Sequence, residues 1–380
     1  MKHSYAHYRS LFPVLASKIH LASCSQGAIS KNVSESIEAY MNSLLTAGGN
    51  WNQAIKVVEQ AKYRFAKLIG AEPNEIAVLC SVSDIFSAIA SSLSFEKGKN
   101  IIVTTDMDFP TAGHVWLAQE KFGAKVRFIP SQQGVIPLEY YERYVTSDTL
   151  VTSISHVCYY NGFKQDLKAI ADIVHRKGSL LFVDAYQSAG QVPIDVKKMD
   201  IDILAAGTRK YLLGIPGISF LYIKAELAEK WKPRVTGWFG QEDHSKFNVH
   251  QIIPAAGTRR FETGTPSFIS AYAAAAAIRL LLEIGVENIS SYLNLLAQFA
   301  LDYGQEKGLH TVTPLSAHKR GGITAFYVKN AGQIESILKE RNIIVSARND
   351  VIRIAPHFYN TQDDIRQAID ELTTVLTANK

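Results

Sequence analysis

Between residues 75 and 223, short continuous apolar runs alternate with stretches whose apolar positions recur at helical spacing. EIAVLC (75–80), NIIVTT (100–105), KVRFIP (125–130), TLVTSIS (149–155), SLLFVD (179–184), DILAAG (202–207) and GISFLYI (217–223) predict strands. The runs are too short for helices and most are bounded by turn residues or charges. DIFSAIASSL, TAGHVWLAQEKFG, PLEYYERYV and LKAIADIVHRKG fall between them and predict helices. The last ends on Lys177 and Gly178, a cation and then a residue free to adopt a left-handed turn. Strand and helix in this alternation predict an α/β domain with a mostly parallel sheet and helices on both faces.

After RRFETGTPS the pattern changes. FISAYAAAAAIRLLLEIG and ENISSYLNLLAQFALDYGQEKG predict two long helices. GGITAFYV, a helix over QIESILKERN, IIVSA, DVIRIAP and a final helix after NTQDD follow, which reads as a smaller α+β unit beginning near residue 266. The alanine run predicts a close-packed helix. No internal repeat and no flexible linker stand out.

Composition narrows the classes of function. Of 380 residues, 47% are hydrophobic and 20% charged, enough for a large core. The net charge of +5 is dispersed, so no nucleic-acid or membrane surface is expected. Cys24, Cys80 and Cys158 are widely spaced, which predicts neither a disulfide framework nor a metal site. The N-terminal residues lack a signal-peptide core, and no apolar run reaches a membrane span, so a cytoplasmic protein is expected.

Two apolar segments carry charge where burial is expensive: Asp184 ends LLFVD, and Lys210 follows DILAAGTR. In a parallel α/β sheet, ligands bind beyond the carboxyl ends of the strands. Those ends supply Ser81-Val82-Ser83 opening a helix, Asp106, Asp108 and Phe109, His156 and Tyr159, Asp184 and Gln187, and Thr208, Arg209 and Lys210. An anion cradle, an aromatic plate, a carboxylate and an amine on one rim suit pyridoxal 5′-phosphate. The amine bonds the cofactor aldehyde, the carboxylate keeps the pyridine nitrogen protonated, and the helix N-terminus holds the phosphate. Taken singly, each residue also has a plainer reading. Asp184 or Ser83 serves as a helix cap, Lys210 extends to solvent, Phe109 and Cys24 pack as core, and Arg353 forms a surface ion pair. Trp238 and Phe239 suit a pocket wall or an interface.

The stretch VDAYQSAGQVPIDVKKMDIDILAAGTRKYLLGIPGISFLYI resembles the class V aminotransferase family of fold type I pyridoxal-phosphate enzymes, in its cysteine desulfurase, kynureninase and isopenicillin N epimerase-like branch. The resemblance runs from about residue 20 to the C-terminus. It implies a large cofactor-binding domain over 21–265 with a mostly parallel seven-stranded sheet. A small C-terminal domain over 266–380 and an N-terminal segment, 1–20, packed on that small domain complete the expectation. It implies Lys210 as the Schiff-base lysine and proton carrier, Asp184 on the pyridine nitrogen, Gln187 on the ring hydroxyl and Phe109 stacked on the ring. Val82 and Ser83 would hold the phosphate with Thr208, and Thr265 would reach the phosphate in a neighbouring subunit of a homodimer with shared sites. Arg353 would grip the substrate α-carboxylate. His156 and Tyr159 are further candidate cofactor contacts.

The chain departs from the family at three places. The phosphate loop reads Ser-Val-Ser, and Arg209 replaces the usual histidine or tyrosine, as a phosphate ligand or a structural ion pair. RNIIVSARNDVIR lacks the mobile cysteine of cysteine desulfurases, against persulfide chemistry by the usual route. The expected activity works through a Cα carbanion of an amino acid. A lyase or desulfurase-type reaction on a sulfur-containing or β-substituted amino acid leads. Transamination and epimerisation are alternatives, and a non-catalytic cofactor-binding regulator is an alternative of another class.

Overall fold

A computed structural model describes residues 5–378. The extreme ends of the expected 1–20 segment and 266–380 domain, residues 1–4 and 379–380, lie outside the described residues.

Among the described residues twelve strands occur in chain order: β1 (Ile19–His20), β2 (Ile76–Leu79), β3 (Ile101–Thr105), β4 (Lys125–Ile129), β5 (Thr149–Ser155), β6 (Leu180–Asp184), β7 (Ile203–Gly207), β8 (Ser219–Ile223), β9 (Thr324–Tyr327), β10 (Ile343–Ile344), β11 (Ser346–Arg348) and β12 (Val351–Ile354). Seven form one sheet in the order β2-β8-β7-β6-β5-β3-β4. The pairs from β4 through β7 are parallel, and β8 runs antiparallel to both β2 and β7. Strands β3, β7 and β8 are buried along their whole length, as expected for a sheet covered on both faces. Consecutive parallel strands need helical crossovers, and the helices Pro110–Leu117, Leu138–Tyr144 and Leu167–Arg176 supply them. The carboxyl ends of β3, β5, β6 and β7 therefore share one rim.

Two helices occupy a stretch for which the pattern reading names no element, Lys31–Ala47 and Trp51–Ile69. Ser30 caps the first by accepting from the Val33 amide, and Asn50 caps the second by accepting from Gln53. Gly48 and Gly70 end them in the left-handed conformation. Trp51–Ile69 lies on the sheet, with Phe65 stacked on Phe220 of β8 at 4.4 Å between ring centres. The alanine-rich helix Phe268–Ile284 packs along both, and its small residues allow the close approach.

The three-stranded antiparallel sheet β11-β12-β9 and the helices Ala331–Glu340 and Gln362–Ala378 build the C-terminal part. Strand β1 pairs with β10, and Arg9 makes a two-pronged contact with Asp364 at 2.7 and 3.0 Å. Among the described residues no single helix is long and apolar enough to cross a membrane.

Candidate active site

The rim carries one cavity lined by Ser81, Ser83, Phe109, Tyr159, Asp184 and Lys210, with Val82, Thr111, Tyr186, Gln187 and Arg209 around them. Each residue is placed by the strand or helix end that carries it. Asp184 closes β6, with Ser155 of β5 and Ala205 of β7 as its lateral partners. Lys210 lies just beyond the end of β7. The carboxylate and the amine thus come from neighbouring parallel strands and reach the same space.

Both groups are buried, and burial sets their charge balance. Desolvation raises Asp184 to about 6, opposed by the Tyr186 amide at 2.8 Å and by the charge of Lys210. Desolvation lowers Lys210 to about 8, opposed mainly by Asp184. An amine moved this close to neutrality can take and release a proton at working pH. Its nitrogen lies 4.3 Å from the centre of the Tyr186 ring and 5.7 Å from that of Phe109. Gly207 makes room for Tyr186, because a Cβ there would lie 2.3 Å from the phenol ring.

Phe109 is 40% exposed, high for a large apolar ring, and its neighbour Tyr159 meets it edge-on at 5.2 Å. The turn that presents it is fixed by Asp108. That buried carboxylate accepts from the Thr104 hydroxyl and the Thr105 and Ser155 amides, tying the end of β3 to the end of β5. An aromatic face open to a cavity fits a flat ring stacked on it.

The cradle is built where two helices begin. Ser81 caps Val82–Ser92, accepting from the Asp84 amide and donating to its carboxylate. The Ser83 hydroxyl lies 3.1 Å from that of Thr111, in the first turn of Pro110–Leu117. First-turn amides and two hydroxyls converge on one spot, an arrangement suited to a phosphate. Gln187 donates to the Cys24 carbonyl at 3.0 Å, while its own carbonyl oxygen is buried without a partner. A buried acceptor left open is costly unless something donates to it. A phenolic hydroxyl on a bound ring fits that need. The residues present therefore suit pyridoxal phosphate, with an amine, a carboxylate, an open ring face, an orphan acceptor and an anion cradle.

Arg353 is buried on β12. It donates to the Ser346 carbonyl and hydroxyl at 3.3 and 2.6 Å and to the Tyr159 carbonyl at 2.7 Å, leaving guanidinium donors uncommitted. Its bond to Tyr159 ties it to a residue of the cavity wall, and its charge contributes to lowering Lys210.

Two expected contacts, Thr208 and His156, do not line the cavity. The Thr208 hydroxyl donates to the Ile215 carbonyl at 2.5 Å, so it serves the turn after Lys210, and Thr208 does not line the cavity. His156 is buried behind the rim rather than lining the cavity. Its backbone bonds Asp184 and Gln165, and burial lowers its imidazole to about 3. Thr265, whose expected role is in a neighbouring subunit's site, is exposed and lies outside this chain's own cavity. Arg209 lines the cavity, and its charge opposes the rise that burial imposes on the Tyr186 phenol. Sequence reading missed Tyr186 and Thr111. The aromatic inside Asp-Ala-Tyr-Gln and the threonine in Phe-Pro-Thr were their only signals.

A seven-stranded mixed sheet with a buried lysine and aspartate at its carboxyl rim defines a cofactor-dependent enzyme of the α/β class. The sequence profile of the family described as "Aminotransferase class-V" matches residues 24–371, and the chain belongs to that family, whose cofactor is pyridoxal phosphate. It is 50% identical over 375 residues to an "uncharacterized aminotransferase", YcbU, of Bacillus subtilis, covering 98% of each chain. A cysteine desulfurase of Haloferax volcanii is 26% identical over 344 residues, covering 84% of this chain and 79% of that one. Among solved structures, an apo cysteine desulfurase from Thermococcus onnurineus superimposes with a TM-score of 0.87 at 23% identity, covering 97% of each chain, which shows the shared fold.

Proposed function

We propose that the protein acts on an α-amino acid by moving its α-proton, and that the leading reaction is loss of a β-substituent, as in a lyase or desulfurase. The observation that carries the reading is the pair Asp184 and Lys210, buried on one rim, with a lysine held near neutrality. Bound at this site, pyridoxal phosphate would supply an aldehyde for the amine and a ring that accepts electrons from Cα. Lys210 would hold the cofactor and then carry the α-proton. Asp184 would keep a proton on the ring nitrogen, a role that suits a carboxylate shielded from water. Gln187 would meet the ring hydroxyl, Phe109 one ring face, and Val82, Ser83 and Thr111 the phosphate. Arg353 would hold the substrate carboxylate, fixing which Cα bond faces Lys210.

The cysteine desulfurase relative supports the lyase reading. The absence of a cysteine between Ile343 and Arg353 points to release of the substituent rather than capture on a mobile thiol. Transamination is the second reading, favoured by the name of the relative at 50% identity. A screen of amino acids with product analysis separates them. Pyruvate or alanine with a released substituent supports the lyase, a new 2-oxo acid the transaminase, and the opposite enantiomer an epimerase. No turnover of any amino acid would favour a binding protein.

We also infer a homodimer. Met41, Leu44, Leu45 and Trp51 are exposed on the two N-terminal helices, and Trp51 stacks near Trp238 at 6.1 Å. Phe247, Val249 and Ile252 continue the apolar surface at 76, 87 and 72% exposure, more than an isolated chain is expected to leave in water. Thr265, exposed beside this surface region in sequence and outside its own cavity, suits a reach into a second subunit's site.

A further inference from the structure

Arg353 has a companion that no role above absorbs. In the antiparallel pair β11–β12, Ser346 faces Arg353 and Arg348 faces Val351. Side chains alternate along a strand, so Ser346, Arg348, Val351 and Arg353 share one face of the pair. On this face Arg353 bonds the Ser346 hydroxyl and reaches the carbonyl of Tyr159, a residue of the cavity wall. Arg348 and Arg353 are therefore diagonal neighbours, roughly 7–8 Å apart by the usual cross-strand spacing.

Arg348 is short of partners. Among the described residues it forms no ion pair, and its Nε is buried without a hydrogen bond. The nearest carboxylate along the chain, Asp350, accepts from the Tyr160 phenol at 2.5 Å and is held there. Between them Asn349 takes a left-handed conformation, φ 51°, in the short turn that joins β11 to β12. Tyr159 lines the cavity, and its carbonyl is bound by Arg353. Burial raises its phenol, and the charges of Arg348 and Arg353 both oppose that rise, so both cations lie within electrostatic reach of the cavity wall. A half-buried guanidinium with an open donor is costly unless an anion comes to it.

We propose that Arg348 is a specificity residue that receives a second negative charge, so that the substrate is an α-amino acid whose side chain ends in a carboxylate or a similar anion. Arg353 takes the α-carboxylate and Arg348 the distal anion. A fork of planar donors favours such a group over its uncharged amide. This rests on the pyridoxal-phosphate reading of the cavity and narrows its substrate class.

The test is equilibrium binding to the holoenzyme. L-Aspartate, L-asparagine, L-glutamate and L-glutamine are titrated while heat and visible absorbance are followed. The wild type is expected to bind at least one acid about tenfold or more tighter than its amide, the scale of one charge-assisted contact. Arg348→Met should reduce that acid-over-amide ratio about tenfold, and Arg348→Lys should keep part of it. The Lys variant also covers the case in which Met impairs folding, because it retains the charge on a similar stem. An acid-over-amide ratio that is unchanged in both variants, or a wild type that prefers the amides, would overturn the proposal. A wild type without a visible cofactor band is recognised before any amino acid is added. That result overturns the reading underneath, separately from the role of Arg348.

Discussion

Asp184 illustrates how a single position is given its chemistry by burial. Water would leave it ionised at any physiological pH, whereas the rim raises it to about 6. It is poised to share a proton with a ring nitrogen. Asp184→Asn is expected to retain cofactor, as judged by absorbance, while kcat falls by at least about 100-fold. Equal loss of cofactor and rate would remove the assigned role. Lys210 makes a prediction about stability. Its amine titrates at about 8 when folded and near 10.5 when unfolded. Between those values the unfolded chain holds the extra proton, so this group makes stability rise with pH by up to about 1.4 kcal/mol per unit. In the cofactor-free protein, Lys210→Met should flatten the wild-type curve between pH 8 and 10 in denaturant unfolding. Parallel curves would contradict the depressed amine. At this scale the sequence showed which charged residues end apolar runs, because burying them demands a reason. It did not show how side chains rotate. Thr208 turns to a carbonyl of its own loop and His156 turns behind the rim, for packing reasons invisible in a string of letters.

Elements show a different balance. The seven strands of the main sheet were legible as short apolar runs, and β3, β7 and β8 are buried throughout, whereas the two-residue β1 was not read. The helices Lys31–Ala47 and Trp51–Ile69 were not read, although Ser30, Asn50, Gly48 and Gly70 mark their ends. The first fully buries only Val33, so its apolar residues draw no clear core stripe. Phe65, stacked on Phe220, is the largest of the side chains by which Trp51–Ile69 is buried. Phe65→Ala should cost about 3–5 kcal/mol in denaturant unfolding, by removing a buried ring and leaving a cavity. A cost below about 1 kcal/mol would show that the stacked pair does not fix this helix.

For the molecule as a whole, the sheet brings residues from five separate strand ends to one cavity. The C-terminal part adds Arg353, and its bond to the Tyr159 carbonyl joins the two regions directly. The alternation of strand and helix made this architecture readable, and the class V resemblance supplied the seven-stranded sheet that the structure contains. Association is harder to read, because an exposed apolar residue in one chain is a buried one in a pair. Sedimentation should show a dimer, and Leu45→Glu with Val249→Glu should shift it toward monomer. A wild type that stays monomeric at micromolar concentration would contradict the shared-site proposal.

The whole account depends on one amine carrying the cofactor. Borohydride reduction of the reconstituted protein, digestion and peptide mass analysis test it directly. The account predicts a pyridoxyl group on Lys210 and none in the Lys210→Ala variant. A label on another lysine, or no label on protein supplied with excess cofactor, would contradict it.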